Sequence, residues 1–221
     1  MATFVCLHGA GGRGSYWDLL AAELEPLGHS VVAMDLPCDE EVGLAAYASA
    51  VVDAIGDRDR DLVLVAQSLA GLVAPLVCTQ VPIELLVLVG AMVPRPGESG
   101  GEWWANTGHH AAVAAQGLPD DSEETLFTHD VPADVLAAVG PPREQTGTIM
   151  EEPWPLDAWP DVATRFVVFR DDRFFPADWL RALVRERLGI EAADIPGGHC
   201  AFLSQPKALA EVLVKLWEER D

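Results

Sequence analysis

An α/β fold, with a mainly parallel sheet of about six strands and helices on both faces, is predicted by three features of the sequence. Short continuous apolar runs, such as Leu-Val-Leu-Val-Ala at residues 62–66, suit strands buried on both faces. Segments with apolar side chains at helical spacing separate these runs, so successive strands run parallel. Glycine-rich and polar groups fall where the runs end, at the carboxyl edge where open parallel sheets carry their ligands. With 221 residues, 50% of them hydrophobic, the chain can bury a full core as one domain.

Taken in order, residues 3–7 form the first strand, and His8-Gly9-Ala10-Gly11-Gly12-Arg13-Gly14 is a glycine-rich turn after it. Ser15 is placed to cap a helix carrying Trp17, Leu19, Leu20, Leu24 and Leu27, which Gly28 ends. Residues 30–34 are the second strand, closed by Asp35-Leu36-Pro37, and residues 43–55 the next helix. The third strand, residues 62–66, runs through Ser68 into helical spacing from Leu69 on. Ala66, Ala70 and Gly71 are small, as a strand reversing tightly into a helix requires. Such a turn lifts the Ser68 hydroxyl clear of the sheet and leaves the Leu69 N–H facing whatever the hydroxyl attacks. An ordinary strand-turn-helix capped by Ser68 would share this pattern, so the rest of the chain must decide.

Residues 84–89 are the fourth strand. From 92 to 160 the character changes: this span holds nine of the sixteen prolines and four of the seven tryptophans. Its helical patterns are short, near 109–116, 122–127 and 133–139. A region this broken is expected to lie across the sheet's carboxyl edge as an inserted cap within one domain of residues 1–221. Alternation resumes with strands at 165–170 and 190–195 and helices at 177–188 and 207–219.

A net charge of −21, with Lys207 and Lys215 the only lysines, repels nucleic acid and anionic membranes and suits a neutral small-molecule substrate. Cys6, Cys38, Cys78 and Cys200 lie far apart without a Cys-x-x-Cys pair, which fits reduced thiols rather than a disulfide framework or zinc site. The first residues carry no basic leader, and the expected location is cytoplasmic. Residues 62–77 are apolar enough for a marginal membrane span, but Gln67, Ser68 and Pro75 fit one poorly. Scattered acids and histidines show no ligand spacing, so no metal is expected, and adjacent His109 and His110 point apart on a helix.

The strand ends supply three kinds of group: Ser68 after the third strand, Asp171 and Asp172 after the fifth, His199 after the sixth. A serine hydroxyl is a poor nucleophile until an imidazole takes its proton and a carboxylate fixes the imidazole's tautomer. The alkoxide formed on attack needs two preorganised donors, for which the Leu69 and Ala10 N–H groups are placed.

His8-Gly9-Ala10-Gly11-Gly12, the Ser68 turn, Asp172-Arg173-Phe174-Phe175-Pro176 and Gly197-Gly198-His199 together resemble an α/β-hydrolase of the compact methylesterase and hydroxynitrile lyase branch. The likeness covers nearly the whole chain outside the cap. It implies a catalytic Ser68, Asp172 and His199, with Asp172 chosen over Asp171 by its place four residues before Pro176. It also implies no cofactor. Ala66-Gln67-Ser68-Leu69-Ala70-Gly71 departs from Gly-x-Ser-x-Gly in its small residues, and Cys200 stands where hydroxynitrile lyases carry a lysine after the histidine. Ester hydrolysis is therefore favoured over cyanohydrin cleavage.

Two other readings compete. Gly9-Ala10-Gly11-Gly12-Arg13-Gly14 after a strand, with Asp35 about twenty residues on, satisfies a dinucleotide-binding pattern, but the helix begins too late for its third glycine. A hydrolase fold can also serve as a small-molecule receptor with little turnover. Trp17, Gln67, Trp103, Trp104, His129 and Trp154 are candidates for the substrate pocket, the cap tryptophans also fitting a core of the cap's own.

Overall fold

The computed structural model describes residues 1–220. Six strands, β1 (Thr3–Leu7), β2 (Ser30–Ala33), β3 (Leu62–Ser68), β4 (Leu85–Ala91), β5 (Thr164–Phe169) and β6 (Ala193–Ile195), pair in parallel in the order β2-β1-β3-β4-β5-β6. Every residue of β3 and β4 is buried, as the continuous apolar runs require of strands covered on both faces. The order reverses between β1 and β3, so the turns leaving those two strands open side by side at the carboxyl edge.

One face is covered by α1 (Asp18–Leu24) and, at the end of the chain, by α9 (Ala201–Ser204) and α10 (Pro206–Glu218); Leu20, Leu24, Phe202, Leu209 and Leu213 fill that core. The other face carries α2 (Leu44–Ile55), α3 (Ala74–Cys78) and α8 (Ala177–Leu188), packed through Tyr47, Val51, Leu76, Leu180 and Val184. Ser15 makes no cap. The chain enters α1 through a 3₁₀ turn, Gly14–Trp17, whose first N–H is accepted by Asp35 Oδ1 at 2.7 Å. The helix expected from Leu69 is also broken, into a 3₁₀ turn, Leu69–Leu72, and then α3. Pro75 offers no N–H to continue a helical ladder back to Gly71, which accounts for the break.

Between β4 and β5 lie α4 (Gly100–Asn106), α5 (His109–Ala114), a π-helical turn (Glu124–Thr128), α6 (Ala133–Val139) and α7 (Thr148–Glu151). The sequence pattern missed α4 because Gly100 and Gly101 are poor helix formers. Its signal was the pair Ser99 and Glu102. The Glu102 N–H donates to Ser99 Oγ at 3.1 Å and the Ser99 N–H to Glu102 Oε2 at 3.0 Å, a complete capping box. Among the described residues, no helix is long and apolar enough to cross a membrane, and the apolar stretch considered for that role is β3 followed by two short turns of helix.

Candidate active site

Ser68 closes β3 with φ 53° and ψ −122°, and it shares positive φ among non-glycine residues only with Asp61 within the described chain. The neighbours explain how so sharp a turn fits. A Cβ on Gly9 would lie 2.8 Å from Ser68 Cβ, and one on Gly71 would lie 2.0 Å from the Met92 carbonyl oxygen. Strain of this kind persists only where the surroundings enforce it, and it tends to mark functional positions.

His199 faces the same opening from the loop after β6. Its Nδ1–H donates to Asp172 Oδ2 at 2.8 Å, and both residues are buried. Asp172 Oδ1 is occupied by the Phe174 and Phe175 N–H groups at 2.9 and 2.7 Å, so the carboxylate is locked in its orientation. Asp171 points elsewhere, accepting the Gly197 N–H at 3.0 Å. The rings of Phe127, Phe174 and Phe175 stand edge-on to the imidazole, with centroids 5.3, 5.0 and 5.1 Å away. With Nδ1 committed to Asp172, Nε2 is the acceptor nitrogen, and the Gln67 amide donates to it at 3.1 Å while also reaching the His199 carbonyl at 3.3 Å. No hydrogen bond joins Ser68 to His199 in this arrangement.

The Ala10 and Leu69 N–H groups line the opening and donate to no protein acceptor, whereas their neighbours are committed. The Gly12 N–H donates to the Gly9 carbonyl at 3.2 Å, and the Gly11 N–H to Gln145 Oε1 at 3.2 Å. From the other side the Arg143 N–H donates to the Gly11 carbonyl at 2.7 Å. His8 sets the start of this loop, its Nδ1–H donating to the Gly9 carbonyl at 2.7 Å and its Nε2 accepting the Leu36 N–H at 2.9 Å. Burial pushes the His8 pKa down from 6.5 to about 4, so the ring is neutral at pH 7.

Ser68, His199, Ala10 and Leu69 line a cavity of about 1020 Å³, walled on one side by the segment between β4 and β5. Of the pocket candidates, Gln67, Trp104 and His129 line it; Trp17, Trp103 and Trp154 do not. Trp17 is turned under the sheet, 5.0 Å from the Phe202 ring, and the preceding residue, Tyr16, faces the cavity instead. Trp103 and Trp154 are buried and donate their indole N–H groups to the Val93 and Leu72 carbonyls, each at 3.0 Å, and the Trp154 bond ties the segment between β4 and β5 to the turn after β3. Sequence reasoning missed Tyr16, Phe127, Val131, Leu136, Phe174 and Phe202 on the cavity wall. Only Phe174 had a signal, its place two residues after the acid.

Asp35, which a dinucleotide fold would turn toward a ribose, accepts the Gly14 N–H instead. No group of three or more metal-ligating side chains occurs among the described residues. The family model described as "Alpha/beta hydrolase family" matches residues 4–212. Among curated relatives, "Probable esterase PIR7A" of Oryza sativa subsp. indica is 25% identical over 260 aligned positions, spanning 99% of this chain and 97% of its own. "Methylesterase 7" of Arabidopsis thaliana is 25% identical over 261 positions, spanning 96% and 95%. The crystal structure of polyneuridine aldehyde esterase superposes with a TM-score of 0.79 at 19% identity, covering 98% of this chain and 99% of that one.

Proposed function

The chain belongs to the alpha/beta hydrolase family, and on that premise we propose that it is a serine esterase cleaving a neutral carboxylic ester of a small apolar or aromatic molecule through an acyl-enzyme on Ser68. The observation that carries this reading is the convergence of Ser68, held at φ 53°, and a His199 hydrogen-bonded to Asp172 on the lining of one mainly apolar cavity. The esterase names of two relatives spanning nearly the whole chain support the reaction class.

In this mechanism Nε2 of His199 takes the Ser68 proton as Oγ attacks the ester carbonyl. The Gln67 amide that occupies Nε2 must first give way, a step consistent with catalytic hydrogen bonds that tighten only once substrate is bound. The Ala10 and Leu69 N–H groups hold the alkoxide oxygen, and both are free to do so. His199 then protonates the leaving alcohol. A water deprotonated by the same imidazole releases the acid, and Asp172 keeps Nδ1–H oriented throughout. No cofactor enters these steps.

Intact-mass spectrometry after treatment with a fluorophosphonate tests the reading. One adduct is expected on the natural protein, none on Ser68→Ala and at least about a thousandfold slower labelling of His199→Ala. A second reading, a small-molecule receptor with little turnover, draws on the Gln67 amide seated on Nε2. A folded natural protein that takes up no adduct would favour it.

A further inference from the structure

We propose that Asp130 is a positioning residue that registers the inserted segment against His199; this rests on the esterase reading above. His199 is carried by Gly197-Gly198, a loop that on its own has little to hold it. Gly197 has φ +110°, a conformation closed to ordinary side chains, and neither glycine contributes a side chain to pack. Two carboxylates supply what the loop lacks. Asp171, at the end of β5, accepts the Gly197 N–H at 3.0 Å and returns its own N–H to the Gly197 carbonyl at 3.0 Å. Asp130, between the π-helical turn and α6, accepts the Gly198 N–H on Oδ2 at 2.8 Å, and the same oxygen takes the Ser204 hydroxyl of α9 at 2.7 Å.

Asp130 therefore ties the segment between β4 and β5 to both sides of His199, the loop directly before it and the helix that follows it, which lie about 70 residues further along the chain. The approach is close enough that a Cβ on Gly198 would lie 2.6 Å from Asp130 Oδ1 and 2.6 Å from His129 Cε1. Asp130 Oδ1 and His129 Nδ1 are both buried without a hydrogen-bond partner. A carboxylate that leaves one oxygen unpaired and spends the other on the backbone N–H one residue before His199 is placed for geometry rather than for a surface ion pair. At the opposite wall Gln145 and Arg143 hold the Gly11 backbone. The inserted segment thus grips the loops bearing both the proposed base and the proposed oxyanion donors.

The test compares Asp130→Ala, Asp130→Asn and Asp130→Glu with the natural protein, reading the rate of fluorophosphonate labelling and kcat and KM on p-nitrophenyl acetate. A displacement of about 1 Å at a reacting group costs on the order of a hundredfold. Asp130→Ala is expected to slow labelling and kcat roughly 10- to 100-fold with KM changed less than about threefold. Asp130→Asn keeps an acceptor for the Gly198 N–H and should recover most of the rate. Asp130→Glu keeps the charge but moves the oxygens by one methylene, and should fold yet stay slow, which preserves the test if the alanine variant does not fold. Labelling of Asp130→Ala or Asp130→Glu at the natural rate, or an Asp130→Asn as slow as the alanine variant, overturns the proposal. Ser68→Ala separates the two readings. If it labels like the natural protein, the esterase reading fails; if it does not label while the Asp130 variants label at the natural rate, the positioning role alone fails.

Discussion

Asp171 and Asp172 differ by one position and point to different tasks. Asp172 is buried and shares its two oxygens among His199 and two backbone N–H groups, while Asp171 is exposed and reaches the Gly197 N–H. Asp172→Asn would present an amide where a carboxylate must hold Nδ1–H, favouring the wrong tautomer. Turnover should fall by about 10³- to 10⁴-fold. Asp171→Asn keeps an acceptor for the Gly197 N–H, and its loss should stay within about tenfold. Steady-state rates of the two variants on one aryl ester decide the matter, and equal losses would sink the assignment. Sequence could propose Ser68 and His199 because each follows a strand and carries a nucleophile's or base's chemistry. It could not separate the two acids except through a resemblance, because one residue of displacement reverses the side-chain direction. Gln67's hold on Nε2 and Asp130's reach across the molecule left no mark in spacing, since each depends on a contact between segments more than 60 residues apart.

Among the elements, β1, β3, β4 and β5 were legible because burial leaves near-continuous apolar runs, and the edge strands β2 and β6 through their place in the alternation, whereas α4, α7 and α9 were not. Each of those helices is a turn or two long, and burial of Trp103, Ile149 and Phe202 outweighs its weak local propensity. The turn after β1 is held the same way, by His8 bridging Gly9 and Leu36 at the ends of β1 and β2. That bridge makes a pH prediction. His8 has a folded pKa lowered to about 4 from 6.5, so above pH 6.5 both folded and unfolded chains carry it neutral and it shifts nothing. As pH falls from 6.5 to about 4 the unfolded chain takes a proton that the folded ring refuses, and stability drops by roughly 3 kcal/mol. Thermal unfolding of the natural protein should therefore lose on the order of 10 °C more than His8→Gln between pH 7 and pH 4. Parallel Tm curves for the two would show that the bridge does not titrate.

At the scale of the whole molecule the −21 charge acts on what reaches the cavity rather than on what happens at its floor. Asp121, Glu123 and Glu124 stand exposed at the cavity wall, and Arg143, the cation there, is paired with Asp39 at 2.6 Å. An ester bearing a sulfonate therefore meets repulsion from the general field and from the nearby acids, while a neutral ester of the same size meets neither. At about 10 mM salt that field reaches roughly 30 Å, and at about 150 mM only roughly 8 Å. Raising salt over this range should increase kcat/KM for the sulfonated ester about three- to tenfold and leave the neutral one within about twofold. The ratio of the two cancels any salt effect on folding or on the chemical step. A ratio that stays flat would mean that Arg143 offsets the acids locally and that selection against anions lies in the cavity; a ratio that rises would place it in the charge of the molecule, the same charge that helps expel a newly formed carboxylate product.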